Sequence, residues 1–459
     1  MLTFLISVFL VGALLASMAL RNACSRGALW NAFLILFGGF SGLLSTSAVI
    51  STFNIVSVPE LTSSIIFLPI CAAVAGICFL LLMRNTLKIA RRDWRRPARQ
   101  MLPKLPFFFL TIVFGYLASA SYLAIQSPMF GWDVLDHWGP VAIDFYNATQ
   151  HPNLDDWRVT YSVHPSTVSI LLGLFSSVQL GALQSAATSV PWLMAYGLII
   201  FAAGVHAYRV GQNINLAFII SMAAAAMPLL IQHVAIFGYA EIFLSALLAS
   251  GAVALTSLES TSGRFVICVF IGLLTCTLKN TGFIYGVIFC ASAVLAYTIP
   301  RNRQKPVAMF LAVVAFGILT IMAGTDQSHV YFIGGREFDL RLSWIKNVPE
   351  NIMYSAFINI SFGIVPAIGA GIALSSWNLI KKEDRAFVFI LLLFLGLFSF
   401  SVVSQLTSWG AAYATPGSDT GNSRFSLPMM VILHLSVPYL YSLAIKDAWQ
   451  GVTNKKVNI

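Results

Sequence analysis

The sequence predicts an all-α fold, a polytopic bundle of transmembrane helices, and three observations carry that prediction. Only 10% of the 459 residues are charged, whereas soluble proteins average about 25% because their surfaces must face water. Hydrophobic residues make up 58% of the chain, and the mean hydropathy is +0.82. These residues gather in runs of about 20, the length that crosses a hydrocarbon core of about 30 Å as a helix. The formal net charge of +10 does not point to nucleic acid, because the Lys and Arg residues fall in short loops between apolar runs. That placement is a topology signal.

The runs occupy residues 1–20, 28–50, 63–83, 105–124, 189–208, 214–231, 240–258, 265–278, 282–298, 307–324, 352–375, 386–404 and 426–445. The expected count is about thirteen spans. The first resembles a signal-peptide core, but it lacks a basic leader and is followed by Arg21 and Arg26. That charge order predicts a retained span with its N-terminus outside. The segment 84–99 carries Arg84, Lys88, Arg91, Arg92, Arg95, Arg96 and Arg99, which places it in the cytoplasm. Parity then puts Arg209, Arg264, Arg301, Arg303, Lys305, Lys381, Lys382 and the tail lysines Lys446, Lys455 and Lys456 on the same side.

The stretch 265–298 reads as one apolar run interrupted only around Lys279. A single helix of that length would be about 50 Å long, too long for the bilayer core, so the run must break at Lys279. Outer loops are expected at 126–165, 325–350 and 407–424, with the segment 166–183 lying along or dipping into the outer interface as a short helix. The chain divides into three N-terminal spans with their basic loop (1–104), a transmembrane core (105–445) and a cytoplasmic tail (446–459). No internal repeat is visible. The six cysteines lie in apolar runs or a short basic loop and show neither a disulfide framework nor metal-type spacing.

The chemistry-bearing residues collect on the outer side. In the first outer loop, Asp133, Asp136 and His137 are spaced to share one helix face. A carboxylate there can act as a general base, and two carboxylates with a histidine can hold a divalent metal. The alternative is a solvated loop helix whose acids keep it out of the bilayer. Glu241 opens one span and Lys279 sits at the helix break, both at the outer end by parity. An ionisable group inside a span costs about 2.5–3.5 kcal/mol on insertion scales and by default marks a function. The plainer readings are a helix cap for Glu241 and snorkelling for Lys279. Arg424 stands just outside the last span, where it can receive a phosphate bidentately, as Lys279 can as a point charge.

Trp132-Asp133 followed by His137-Trp138-Gly139 resembles the first-loop motif of GT-C glycosyltransferases, a superfamily that includes protein O-mannosyltransferases and aminoarabinose transferases. His164-Pro165 resembles the start of that family's His-Pro-Pro motif, Glu241 an acid opening a later span, Lys279 a Lys-Gly-type break, and Arg424-Phe425 an Arg-Tyr near a Leu-Pro. The likeness covers roughly residues 105–445. Val134 replaces the usual second acid and Ser166 the second proline, so Asp136 must serve if a pair is required.

The resemblance implies a GT-C-like core with interfacial helices in the first outer loop, and inverting sugar transfer from a polyprenyl-phosphate donor to an acceptor hydroxyl on a glycan, lipid or protein. Asp133, with Asp136 and Glu241, would be catalytic. Lys279 and Arg424 would bind the donor phosphate, and His137, Trp138 and His164 the substrate. A divalent metal, if used, would be held by Asp136, His137 and His164. The expected home is a bacterial plasma membrane, with membrane lipids as neighbours and no nucleic-acid partner. Two other classes stay open: a transporter or lipid flippase, which would keep ionisable groups beside broken helices, and a surface-polysaccharide polymerase or ligase. Arg336 and Arg341 in the second outer loop keep the polymerase option open.

Overall fold

The computed structural model describes residues 2–19, 28–53, 115, 129–130, 133–134, 138–150, 165–176, 186–211, 213–279, 281–298, 329–333, 336–340, 385–406 and 426–439. In chain order the elements are α1 (Leu2–Ala19), α2 (Ala28–Phe53), β1 (Met129–Phe130), α3 (Gly139–Gln150), α4 (Thr167–Ser176) and α5 (Ala186–Gly211). They continue as α6 (Ile214–Ala225), α7 (Pro228–Ala235), β2 (Ile236–Phe237), α8 (Glu241–Ser257), α9 (Thr261–Cys276) and α10 (Gly282–Tyr297). The last are β3 (His329–Ile333), β4 (Arg336–Leu340), α11 (Arg385–Gln405) and α12 (Ser426–Tyr439).

Among the described residues the fold is helical, as composition predicts, with two short strand pairs that no sequence pattern announced: β1 with β2 in parallel, and β3 with β4 antiparallel. Among the described residues, three helical stretches are long and apolar enough to cross a membrane: Trp30–Ser51, Ala187–Gly211 and Arg385–Gln405. The α6–α7 pair would make a fourth. The spans expected at 63–83, 307–324 and 352–375, and all of 105–124 but Gly115, lie outside the described residues.

The run expected to form one span over 214–231 is instead two helices bent by 56°. Pro228 is the reason, since it offers no N–H to a continuing helix and disfavours helical geometry in the residue before it. Capping sets two other helix starts, that of α6 at the expected residue 214 and that of α9 ahead of its expected position. Asn213 accepts from the Asn215 and Leu216 amides at the start of α6. Ser260 accepts from Gly263 N at 3.1 Å, so α9 begins four residues before the apolar run expected from 265. Side-chain caps of this kind satisfy amides that would otherwise have no helical partner.

The chain forms two compact units, Met1–Ala226 with Leu230–Gly286, and Met227–Leu229 with Val287–Ile459. In the first, α1 packs on α2, and α2 packs on α4 and α5. The centre is α8, whose Phe243 ring lies 5.7 Å from Phe40 of α2 and 4.8 Å from Trp192 of α5. The Tyr196 hydroxyl of α5 donates to the Ala225 carbonyl at 2.7 Å, tying down the end of α6. Arg209 closes the far end of α8, donating to the Thr256 carbonyl at 3.0 Å and to the Ser257 hydroxyl. Carbonyls at a helix C-terminus lack amide partners, and a cation there also complements the helix dipole.

The segment expected at the interface forms α4 over Thr167–Ser176, and all ten residues are buried. It packs among α2, α3 and α5, and the Ser166 hydroxyl just before it hydrogen-bonds that of Ser51. In the second unit, Phe389 of α11 meets Phe289 of α10 edge to face at 5.5 Å, and Arg385 Nη1 donates to the Tyr297 carbonyl at 3.2 Å. Phe387 of α11 lies 5.2 Å from Tyr439 of α12.

A buried carboxylate–lysine–carboxylate cluster

Three chain segments build the candidate site. β1 ends three residues before Asp133 and β2 four residues before Glu241, and the two strands pair Met129 with Ile236 and Phe130 with Phe237. Main-chain bonds thus bring segments more than a hundred residues apart into register just ahead of the two acids. Gly238, between β2 and α8, has φ 124°, a conformation that residues with a Cβ adopt only with strain. Trp192 Nε1 donates to the Tyr239 carbonyl at 3.2 Å and holds this turn against α5. Glu241 then opens α8, where unpaired helix amides and the macrodipole favour a negative charge.

Lys279 lies in the break between α9 and α10, where the sequence required one. Thr277 Oγ1 donates to the Leu274 carbonyl at 2.8 Å, and Gly282 N donates to the Lys279 carbonyl at 2.8 Å. A Cβ on Gly282 would fall 1.9 Å from the Thr275 carbonyl oxygen. Only a glycine lets the chain double back so closely.

Lys279 Nζ donates to Glu241 Oε1 at 2.7 Å and lies 3.8 Å from Asp133 Oδ2. The first contact is a charge-assisted hydrogen bond, and the second is an ion pair of longer reach. Side-chain exposure rises from 1% at Glu241 through 3% at Lys279 to 7% at Asp133. The cluster therefore has an inner end, Glu241, and an outer end, Asp133. Taking these charges out of water costs several kcal/mol per ion, which mutual attraction offsets only while the partners stay together. Tyr285 of α10 is also buried, near enough to Glu241 to feel its charge.

Of the residues singled out in the sequence, Asp133, Glu241 and Lys279 come together. Trp138 is completely buried, so its ring packs within the protein and would have to move before a ligand could lie on it. Asp136, His137, His164 and Arg424 lie outside the described residues. Among the described residues, no grouping of three His, Cys, Asp or Glu side chains suits a metal ion. The expected ligands Asp136, His137 and His164 are not in that set.

Sequence reasoning passed over Trp192, His233, Tyr239 and Tyr285. His233 is buried with its ring 5.5 Å from that of Tyr239, next to the turn that presents Glu241. The signal for them was modest: polar-tipped aromatics inside otherwise aliphatic runs, which usually need a hydrogen-bond partner when buried.

A buried carboxylate pair bridged by an ammonium group can accept a proton, orient a hydroxyl or hold a cation, and the outermost carboxylate is the one nearest to solvent. No family model, curated protein sequence or solved structure matches this chain.

Proposed function

We propose that the protein is a membrane-embedded, inverting glycosyltransferase that moves a sugar from a polyprenyl-phosphate donor to an acceptor hydroxyl on the extracytoplasmic side. The observation that carries the reading is the contact of Lys279 with Glu241 at 2.7 Å and with Asp133 at 3.8 Å. The three residues stand out separately in the sequence, through a loop motif, a helix start and a helix break.

In this reaction Asp133 removes the proton of the acceptor hydroxyl, and the oxygen attacks the anomeric carbon. The bond to the phosphate oxygen breaks, and its electron pair leaves with the polyprenyl phosphate. Cationic side chains meet the developing charge, and preorganised electrostatic stabilisation of that kind commonly contributes more to catalysis than any other effect. Arg424 and Lys279 are the sequence candidates for that role. Two further features support the reading. Arg209, a residue of the basic side by parity, binds the opposite end of α8 from Glu241, about 25 Å away along a 17-residue helix. The helices flanking the break are short, 16 residues each, so their ends stop below the surface of a core of about 30 Å, in reach of a donor whose lipid chain stays in the bilayer.

One observation favours a second reading. Ion-coupled transporters also place their substrate and ion sites beside broken helices, and Lys279 stands at such a break. The deciding experiment measures transfer of radiolabelled sugar from polyprenyl phosphate in membranes with the wild-type protein and with Asp133→Asn. Transfer that disappears in the variant at equal protein level supports the proposal. Transfer unaffected by Asp133→Asn removes Asp133 as the base, and solute movement without any glycosyl product favours the transporter.

A further inference from the structure

We propose that Glu241 and Lys279 act as one positioning unit for Asp133, with Glu241 fixing Lys279 and Lys279 orienting the Asp133 carboxylate, so that neither binds the donor phosphate. This rests on the glycosyltransferase reading and assigns Lys279 a different task from the one its sequence position suggests.

In an inverting displacement the base stands on one side of the anomeric carbon and the departing phosphate on the other. The acceptor oxygen, the carbon and the leaving oxygen must fit between the base and any group that binds the phosphate. Lys279 Nζ and Asp133 Oδ2 are 3.8 Å apart, less than two ordinary N–H···O hydrogen bonds laid end to end, each about 2.7–3.2 Å. No sugar fits along that line, so a lysine this close to the base stands on the base's own side of the reacting carbon.

The remaining contacts point the same way. The short bond of Lys279 goes to Glu241, the most deeply buried of the three and the first residue of α8. Lys279 itself is set by the tight α9–α10 turn that Gly282 permits. Both residues are thus anchored by the ends of rigid helices, and each is less exposed than Asp133. A carboxylate buried behind a lysine does not reach a substrate, but it fixes where the lysine can stand. The donor phosphate must then be met by another cation.

The test is a double-mutant cycle with Glu241→Gln, Lys279→Met and the pair, in the full-length protein. Two readouts are needed: sugar-transfer kinetics with varied polyprenyl-phosphate sugar, and the thermal unfolding midpoint in detergent without substrate. A positioning unit predicts that Lys279→Met lowers kcat by about 10²-fold, the scale of a misplaced general base, while donor KM changes by less than about twofold. Glu241→Gln should give the same pattern, and the double variant should lose no more than Lys279→Met alone. A tenfold or larger rise in donor KM for Lys279→Met, or losses in kcat that multiply in the double variant, overturns the proposal while leaving the transferase reading intact. If the wild-type protein transfers no sugar, the transferase reading fails. The pairing is then judged by unfolding alone, where losses that simply add would refute it and a double variant less damaged than the sum would uphold it.

Discussion

Helices α8 and α11 are both strongly apolar, yet they do opposite work. Every residue of α8 from Glu241 to Leu255 is buried, whereas only seven of the 21 residues of α11 are, although α11 is the richer in leucine and phenylalanine. The difference lies in side-chain size. α8 interleaves alanine, serine and glycine with its leucines, which lets neighbouring helices approach closely, and its serines return their hydroxyls to its own carbonyls, as Ser245 does to Glu241 at 2.7 Å. α11 is built from leucine and phenylalanine, with Leu395 45% exposed where hydrocarbon can cover it. Hydropathy reports that a helix avoids water. It does not report whether protein or lipid replaces the water: both helices begin with a charge, but Glu241 of α8 is buried whereas Arg385 of α11 is exposed.

The contrast can be broken most severely at the charge itself. Lys279→Met leaves two buried carboxylates without the cation between them, and removing one partner of a buried ion pair costs about 3–5 kcal/mol. The expected result is a large fall in the unfolding midpoint in detergent. A midpoint near that of the wild type would mean that Lys279 does not compensate those charges.

The next largest effect is expected within α8. Ser250 is fully buried, with its hydroxyl bonded to the Ala246 carbonyl at 2.6 Å. Ser250→Leu overfills that space, and overpacking costs about 1–3 kcal/mol. A lowered midpoint, with the helical circular dichroism retained, would sharpen the distinction from α11. Gly238→Ala should cost about 1–2 kcal/mol, because the new Cβ meets a positive φ. Since this turn aims Glu241, transfer activity should fall further than stability does. Leu395→Ala on α11 should change stability by no more than about 0.5 kcal/mol, as exposed substitutions usually do. A midpoint shift as large as that of Ser250→Leu would show that α11 is enclosed by protein after all.

Much of the site is legible in the sequence alone. The break at Lys279 follows from length, since 265–298 is too long for one span, and the structure breaks there. Glu241 is conspicuous because a charge opening an apolar run demands a reason. The bend at Pro228 is equally visible in principle, but it falls near the end of a run of span length, which hides it. The β1–β2 pairing cannot be read. Two residues per strand carry no periodicity, and the bond lies between segments whose separation along the chain says nothing about proximity. The burial of α4 is hidden for a related reason: a short apolar helix has the same composition whether it meets lipid or α2.

What the sequence determined alone was the choice of medium and the places where the chain had to turn, because both follow from local quantities: apolar run length, lone charges, prolines and caps. Which charges neutralise one another was decided only by tertiary structure. Asp133, Glu241 and Lys279 are separate costs until β1–β2 pairing and the α9–α10 turn bring both acids within 4 Å of Lys279, and electrostatic energy depends on that distance and on the burial around it.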